Sequence, residues 1–272
     1  MTGTFQGTGL SDYTVDIGGV GCTVTAGTST SVTCTVGEHS AGTFNISLHV
    51  SGFGNANPDI QFEYSLGVDA ISQISSGYGG GKEISLTGHG FGDGTTIEVC
   101  GNPCEITGNI TFSSIKCIAP VNDGYNTSIP QTDCDIVVKQ GDLEETLTAV
   151  YRYLLSQTSQ VTGVSPRRAG TGGGVTLTIT GTGFTTNQAD LTVTIDDVKC
   201  AIVTATTVEI TCTTGTTTRT AMNVDVMVEI TNQGKSVPVD AAVDIVDVWS
   251  SKYSWGGNDP PKAGRLLHVM SS

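Results

Sequence analysis

Val193-Thr-Ile-Asp-Asp-Val-Lys-Cys200, followed by Val208-Glu-Ile-Thr-Cys212-Thr, is the stretch on which the fold turns. Apolar and polar residues alternate in it, the period of two that gives a β-strand one core face and one solvent face. The same pattern stands near the N-terminus as Val15-Asp-Ile-Gly-Gly-Val-Gly-Cys22 and Val32-Thr-Cys34-Thr, again with twelve residues from cysteine to cysteine. Between them lies Ile97-Glu-Val-Cys100-Gly-Asn-Pro-Cys104 and Ile115-Lys-Cys117-Ile, where the gap is thirteen. These three pairs, with Cys100 and Cys134, account for all 8 cysteines. A repeated, paired pattern flanked by β-branched residues describes an array of one small β-module. Such arrays extend and bind.

Composition supports an all-β chain. The 272 residues suffice for two or three sandwiches of ~100 residues each. Valine, isoleucine and threonine pack well on pleated surfaces, and 36 glycines supply turns. No apolar period of 3.6 is sustained over three turns, so helix is expected to be scarce. The net charge of −14, with only 12 Lys and Arg, repels a nucleic-acid duplex or an anionic membrane surface. The acids are scattered, as on a solvated surface.

Paired cysteines point to an oxidising compartment. The expected bridges are Cys22–Cys34, Cys200–Cys212, Cys104–Cys117 and Cys100–Cys134. A zinc site built from the Cys100, Cys104, Cys117 and Cys134 quartet is the alternative, but the other two copies carry no such quartet. Three sequons, Asn45-Ile-Ser, Asn109-Ile-Thr and Asn126-Thr-Ser, agree with secretion and are the expected glycosylation sites. The N-terminal Met1-Thr-Gly-Thr-Phe5 has no basic or apolar signal segment. No stretch approaches the ~20 apolar residues of a membrane span. The expectation is therefore a piece of a longer chain.

The third copy opens with Val161-Thr-Gly-Val-Ser-Pro166, a glycine loop at Gly170-Thr-Gly-Gly-Gly174, and the strand Val175-Thr-Leu-Thr-Ile-Thr-Gly-Thr-Gly-Phe184. The second repeats this with Ile71-Ser-Gln-Ile-Ser, Gly77-Tyr-Gly-Gly-Gly81 and Ile84-Ser-Leu-Thr-Gly-His-Gly-Phe91. In the first, Met1-Thr-Gly-Thr-Phe5 aligns with Ile179-Thr-Gly-Thr-Gly, which leaves no opening strand or glycine loop. That copy is expected to be truncated, or completed by another chain. Short linkers near Gly67-Val-Asp and Leu155-Ser-Gln-Thr predict a semi-rigid rod.

The segment Val161–Phe184 resembles the opening of an IPT/TIG domain, an immunoglobulin-like sandwich of plexins, growth-factor receptors, fibrocystins and some transcription factors. The second copy is similar but has Ser-Ser-Gly-Tyr78 where the proline stands. The in-domain cysteine pair resembles the tandem domains of fibrocystin and fibrocystin-like proteins, the polycystic kidney and hepatic disease family. The tail Trp249-Ser-Ser-Lys-Tyr-Ser-Trp-Gly-Gly-Asn-Asp-Pro-Pro-Lys-Ala-Gly264 looks like the start of the eight-glycine domain that follows such arrays. It departs at Arg265-Leu-Leu-His-Val, where an acidic residue and a strand are usual. The resemblance implies tandem E-set sandwiches forming a short rod. Their expected bounds are 1–68 (N-terminally truncated), 69–155 and 158–248, with the tail at 249–272. It also implies the extracellular, cell-surface ectodomain of a large single-pass protein, often tied to cilia or surface coats.

Candidate chemistry is sparse. The glycine run ending at Lys82 lacks the following Lys-Ser/Thr and helix of a phosphate loop, so both glycine runs read as strand connectors. His39, His49, His89 and His268 fall in different copies or the tail, and no Gly-X-Ser-X-Gly elbow occurs. Asp196-Asp197 and Asp133-X-Asp135 would offer calcium oxygen ligands. Adjacent strand residues face opposite ways, so Asp196 and Asp197 are expected not to share an ion. No catalytic residue, cofactor or metal is assigned. Trp249, Tyr253 and Trp255 are candidate interface anchors, to be weighed against packing on the third or a following domain. The expected function is a non-enzymatic spacer and protein-binding array, with copies of itself among its partners and no nucleic acid. The rival is a set of accessory domains of a secreted carbohydrate-active enzyme, which a catalytic module after Gly264 would favour. A DNA-binding TIG domain is opposed by charge and disulfides.

Overall fold

The computed structural model describes residues 9–56 and 59–248. These residues are mostly β-strand, and their helix is limited to three short 3-10 turns. No helix among them is long and apolar enough to cross a membrane.

The first repeat comprises β1 (Tyr13–Ile17), β2 (Val20–Gly27), β3 (Val32–Thr35), β4 (Gly42–Val50), β5 (Gly54–Ala56) and β6 (Gln61–Tyr64). Its sheet runs in the order β3-β2-β1-β4-β5, with β6 also on β4. Tyr13, Val15 and Ile17 point inward at alternate positions and meet Cys22, Val32, Leu48 and Val50 in one core.

The second repeat adds β7 (Gly67–Ser72), β8 (Ser75–Ser76), β9 (Glu83–His89), β10 (Thr96–Val99), β11 (Asn102–Pro103), β12 (Glu105–Thr111), β13 (Ser114–Ile118), β14 (Gln131–Gln140) and β15 (Leu143–Leu154). Here one sheet contains β11-β10-β14-β15 and the other β12-β13-β9-β7. Cys100-Gly-Asn-Pro-Cys104 is the corner where the chain changes sheet.

The third repeat comprises β16 (Gln160–Ser165), β17 (Arg168–Gly170), β18 (Thr176–Thr182), β19 (Leu191–Ile195), β20 (Val198–Ala205), β21 (Glu209–Thr214), β22 (Ala221–Ile230), β23 (Gly234–Lys235), β24 (Val237–Pro238) and β25 (Ala242–Val246). Its strands follow the order β17-β25-β22-β19-β20-β21-β18-β16-β24. Leu177 and Ile179 are fully buried while the alternating Thr176, Thr178 and Thr180 are not. Each such aliphatic side chain stabilises the fold by about 1.5–3 kcal/mol.

The cysteine staples occupy one position in all three sandwiches. In each, the residue two beyond the first cysteine faces the second across the ladder, as the pairs Val24↔Cys34, Ile106↔Cys117 and Ile202↔Cys212 show. The second repeat's longer gap coincides with a wider bulge between Thr107 and Thr111, which includes Gly108 at φ +69°.

Asp196 and Asp197 are not strand residues, so the alternation argument does not apply to them. They form the two-residue turn between β19 and β20 with φ of 48° and 65°. Gly18 and Gly19, at 62° and 94°, make the same turn between β1 and β2. Tight hairpins of this hand require left-handed residues at both centres, which glycine and aspartate tolerate.

By their contacts the described residues group into two compact units: 9–56, 59–75, 83–122 and 131–153 in one, and 76–82, 123–130 and 154–248 in the other. Two loops of the second repeat thus belong with the third.

Candidate functional site at the repeat joints

Only Ser65 and Leu66 separate β6 from β7. Strand β7 pairs with β9 through Val68↔Gly88 and Gly67↔His89. A Cβ at Gly88 would sit 2.1 Å from the Gly67 carbonyl oxygen, and one at Gly90, where φ is +83°, 2.3 Å from that of Ser65. The third repeat uses the same device. A Cβ at Gly181 would lie 2.0 Å from the Gln160 oxygen, and one at Gly183 (φ +74°) 3.0 Å from that of Thr158. Phe91 and Phe184 follow and are buried. The Gly-X-Gly-Phe motif therefore lays a bare backbone over the carbonyls of the incoming linker, which no side chain would permit.

At the first joint, the Ala41 amide donates to the Gly90 carbonyl at 2.8 Å. A cleft of about 620 Å³ opens beside this contact, lined by Glu38, His39 and Ser40 of the first repeat and Asp93, Ile110 and Phe112 of the second. A second hollow of about 300 Å³ shares Glu38, His39 and Phe112 and adds Tyr64 and His89. The His39 ring lies 4.0 Å from Phe44, 5.1 Å from Tyr64 and 6.1 Å from Phe112, nearly parallel to the last. Its Nδ1 is 2.9 Å from the Ser40 carbonyl oxygen and its Nε2 3.4 Å from that of Gly18. Burial, and then the negative charge of Asp16, raise the pKa of Tyr64 above its ordinary value. Glu38 and Asp93 form no ion pair among the described residues.

Within the other unit the contact is made mainly of backbone. Gly77 N donates to Gln233 O and Lys235 N to Gly80 O, both at 2.8 Å. Tyr78 N donates to Thr158 Oγ1 at 3.0 Å. A Cβ at Gly79 would fall 2.0 Å from the Lys235 oxygen, and one at Gly234 2.0 Å from that of Gly80. The fully buried Tyr78 packs edge-on against Tyr125 at 5.6 Å. Desolvation raises the pKa of Tyr125 and lowers that of Lys82. Gly77–Gly81 is thus a docking surface as well as a strand connector. Gly170–Gly174 instead turns onto its own sandwich, where Gly174 N donates to Thr214 O at 2.9 Å.

The structure contains disulfides Cys22–Cys34, Cys100–Cys134, Cys104–Cys117 and Cys200–Cys212, with Cα separations of 5.6, 4.8, 5.5 and 5.5 Å. Four disulfides are the chemistry of an oxidising compartment. Asn45, Asn109 and Asn126 are exposed, on β4, on β12 and in the loop before β14. Asn45 Oδ1 accepts from Gln61 Nε2 at 3.0 Å, and Asn126 Oδ1 from Ser128 N at 2.8 Å. Trp249, Tyr253, Trp255 and His268 lie outside the described residues. Three of the four paired acids have protein partners of their own. Asp133 meets Arg152 at 3.3 Å, Asp135 accepts from Ala149 N at 2.8 Å, and Asp196 meets Arg219 at 3.7 Å. Among the described residues no group of three or more His, Cys, Asp or Glu could hold a metal ion. His49 is exposed with Nδ1 2.8 Å from Asn55 Oδ1. His39 and His89, which the sequence puts in different copies, line one hollow. Sequence reasoning missed the cleft itself; its available signal was the polar run Glu38-His39-Ser40 directly before β4.

The family model described as "IPT/TIG domain" matches residues 2–64, 68–150 and 159–241. Fibrocystin-L from Homo sapiens is 34% identical over 272 residues, and Fibrocystin-L from Mus musculus 34% identical over 271. Each alignment covers 99% of this chain and 6% of the relative, so the chain spans a small part of the curated proteins it matches. Among solved structures, the plexin A4 extracellular region aligns at 13% identity with a TM-score of 0.40, over 88% of this chain and 22% of that one.

Proposed function

We propose, for a chain that belongs to the IPT/TIG domain family and carries three such domains in tandem, a non-catalytic extracellular role as spacer and protein-binding array. The parent protein is read as a large, membrane-anchored cell-surface protein, with partners meeting domain faces and copies of itself among them. Asn45, Asn109 and Asn126 would carry glycans on exposed surface, and Trp249, Tyr253 and Trp255 would anchor a contact from the tail. The domain division is read as 1–68, 69–155 and 158–248, with the tail at 249–272.

The observation that carries this reading is the Gly-X-Gly-Phe contact at each linker. A flexible string of domains has no use for carbonyls covered by bare glycine backbone, whereas a spacer does. Spin labels at exposed Ser47 of the first repeat and exposed Thr148 of the second, introduced through an unnatural amino acid so that the disulfides stay intact, test it. A single narrow distance distribution is expected. A broad one, as from freely jointed domains, would overturn the spacer. Photo-cross-linking label transfer from the secreted chain to live cells tests the binding half, and transfer to no protein would overturn that half.

A further inference from the structure

The first joint carries features that holding two repeats together does not require. The cleft brings Glu38 and Asp93 from different repeats to one concave surface. Neither carboxylate has an ion-pair partner among the described residues. Among the described residues no Lys or Arg lines the cleft or the adjoining hollow. Phe112 stays 38% exposed at the same place, with His39 stacked near-parallel 6.1 Å away. Ile110 adds an apolar wall. Two exposed carboxylates at one concave surface raise the local concentration of cations there. An exposed aromatic ring offers its negative face to a cation.

We propose that this cleft receives an arginine or lysine side chain from a protein partner, an identification that rests on the protein-binding reading above. The cationic head is flanked by Glu38 and Asp93, its aliphatic stem lies along Ile110, and its plane stacks on Phe112. Arginine fits better than lysine, because its planar guanidinium both pairs with carboxylates and stacks on rings. The volume falls in the range of small-ligand sites and accommodates one long side chain with its neighbouring backbone. The partner is therefore a protein with a protruding basic residue, matched to a chain of net charge −14. Asn109 is an exposed sequon one residue before Ile110, so the test removes it to keep a glycan from interfering.

The test is an NMR titration of the whole disulfide-bonded chain carrying Asn109→Gln, with acetyl-Gly-Arg-Gly-amide as probe and its citrulline analogue as the uncharged control. The arginine peptide is expected to shift Phe112, His39 and Ile110 signals with millimolar affinity, as for one isolated cation–π contact with two part-exposed charges. The citrulline peptide should bind about tenfold more weakly, and Glu38→Gln/Asp93→Asn should cost about tenfold. These isosteric variants keep the fold, which unchanged signals of the buried Leu48 and Ile84 verify. Equal shifts with both peptides, unchanged binding in the double variant, or shifts confined to other surfaces would overturn the proposal. So would preferential binding of a neutral oligosaccharide or of calcium in the cleft. If label transfer to a cell-surface protein persists while the peptide fails to bind, the cleft falls and the array reading stands; if both fail, both fall.

Discussion

The joint around Gly90 and the contact around Gly79 use glycine for the same purpose and leave different surfaces behind. Around Gly79, backbone meets backbone over several consecutive residues, and the neighbouring side chains, Tyr78 above all, are buried. Around Gly90 the backbone contact is limited to a few carbonyls, and the side chains of Glu38, His39, Asp93 and Phe112 stand around open space. A contact made mainly of main chain holds but recognises little, because every sequence presents the same carbonyls. A contact flanked by side chains can change its recognition surface while its glycines stay fixed. The first joint is therefore where recognition can diversify.

Gly79→Val should break the closed contact most severely. Its side chain would begin 2.0 Å from the Lys235 oxygen, and backbone has no rotamer to yield, so a loss of about 3 kcal/mol is expected. Hydrogen exchange should show the Gly77 and Lys235 amides deprotected while Ala41 keeps its protection. Loss of protection at Ala41 as well would mean that the two contacts are one cooperative structure. Gly90→Ala is the converse test. It combines an unfavourable φ with a contact of 2.3 Å to the Ser65 oxygen, for a cost of about 2 kcal/mol. The Ala41 amide should exchange faster and Gly77 should not.

A smaller pair of changes separates buried polar chemistry from exposed. Thr158 Oγ1 accepts from the buried Tyr78 N and donates to the Leu154 carbonyl at 2.8 Å. Thr158→Val keeps the shape but removes both bonds, which should cost about 1–2 kcal/mol in a denaturant midpoint. Ser40 Oγ, 3.2 Å from His39 Nδ1 at the half-open joint, exchanges its bond with water readily, so Ser40→Ala should cost under about 0.5 kcal/mol. Equal costs would erase the distinction between a closed and an open contact.

These differences were unevenly legible in the sequence. Alternation around Leu177 and Ile179, and the cysteine pairs in their repeated frame, are local signals, because a strand's two faces and a hairpin's staple are decided within about a dozen residues. The turn at Asp196-Asp197 was misread for want of a comparison that lay in the same alignment, since Gly18-Gly19 occupies the matching position and declares a left-handed pair. Gly77–Gly81 hid its docking role because glycine is chosen there for what it lacks, and an absent Cβ looks the same in a free loop and under another backbone. The cleft left little beyond the polar run Glu38-His39-Ser40 to read, because its walls come from two repeats that meet at the Ala41–Gly90 hydrogen bond. Loop residues that act through neighbours from another repeat carry no periodicity of their own.

The gentlest probe of the comparison is pH. Tyr64 at the open joint and Tyr125 at the closed contact both hold their protons more tightly than the ordinary value of 10.0, but for different reasons. Burial acts on both, while Tyr64 also feels the charge of Asp16. Because the folded chain binds these protons more tightly than the unfolded one, their stabilisation is complete below pH 10.0 and lost as pH rises through the folded values. Carbon-13 tyrosine titrations should show Asp16→Asn lowering the Tyr64 midpoint and leaving Tyr125 unmoved. Added salt should do the same in milder form, since ions screen a neighbouring charge but not burial. A Tyr125 midpoint that followed Asp16→Asn would show that the two contacts share one electrostatic environment, and the separation drawn between them would fail.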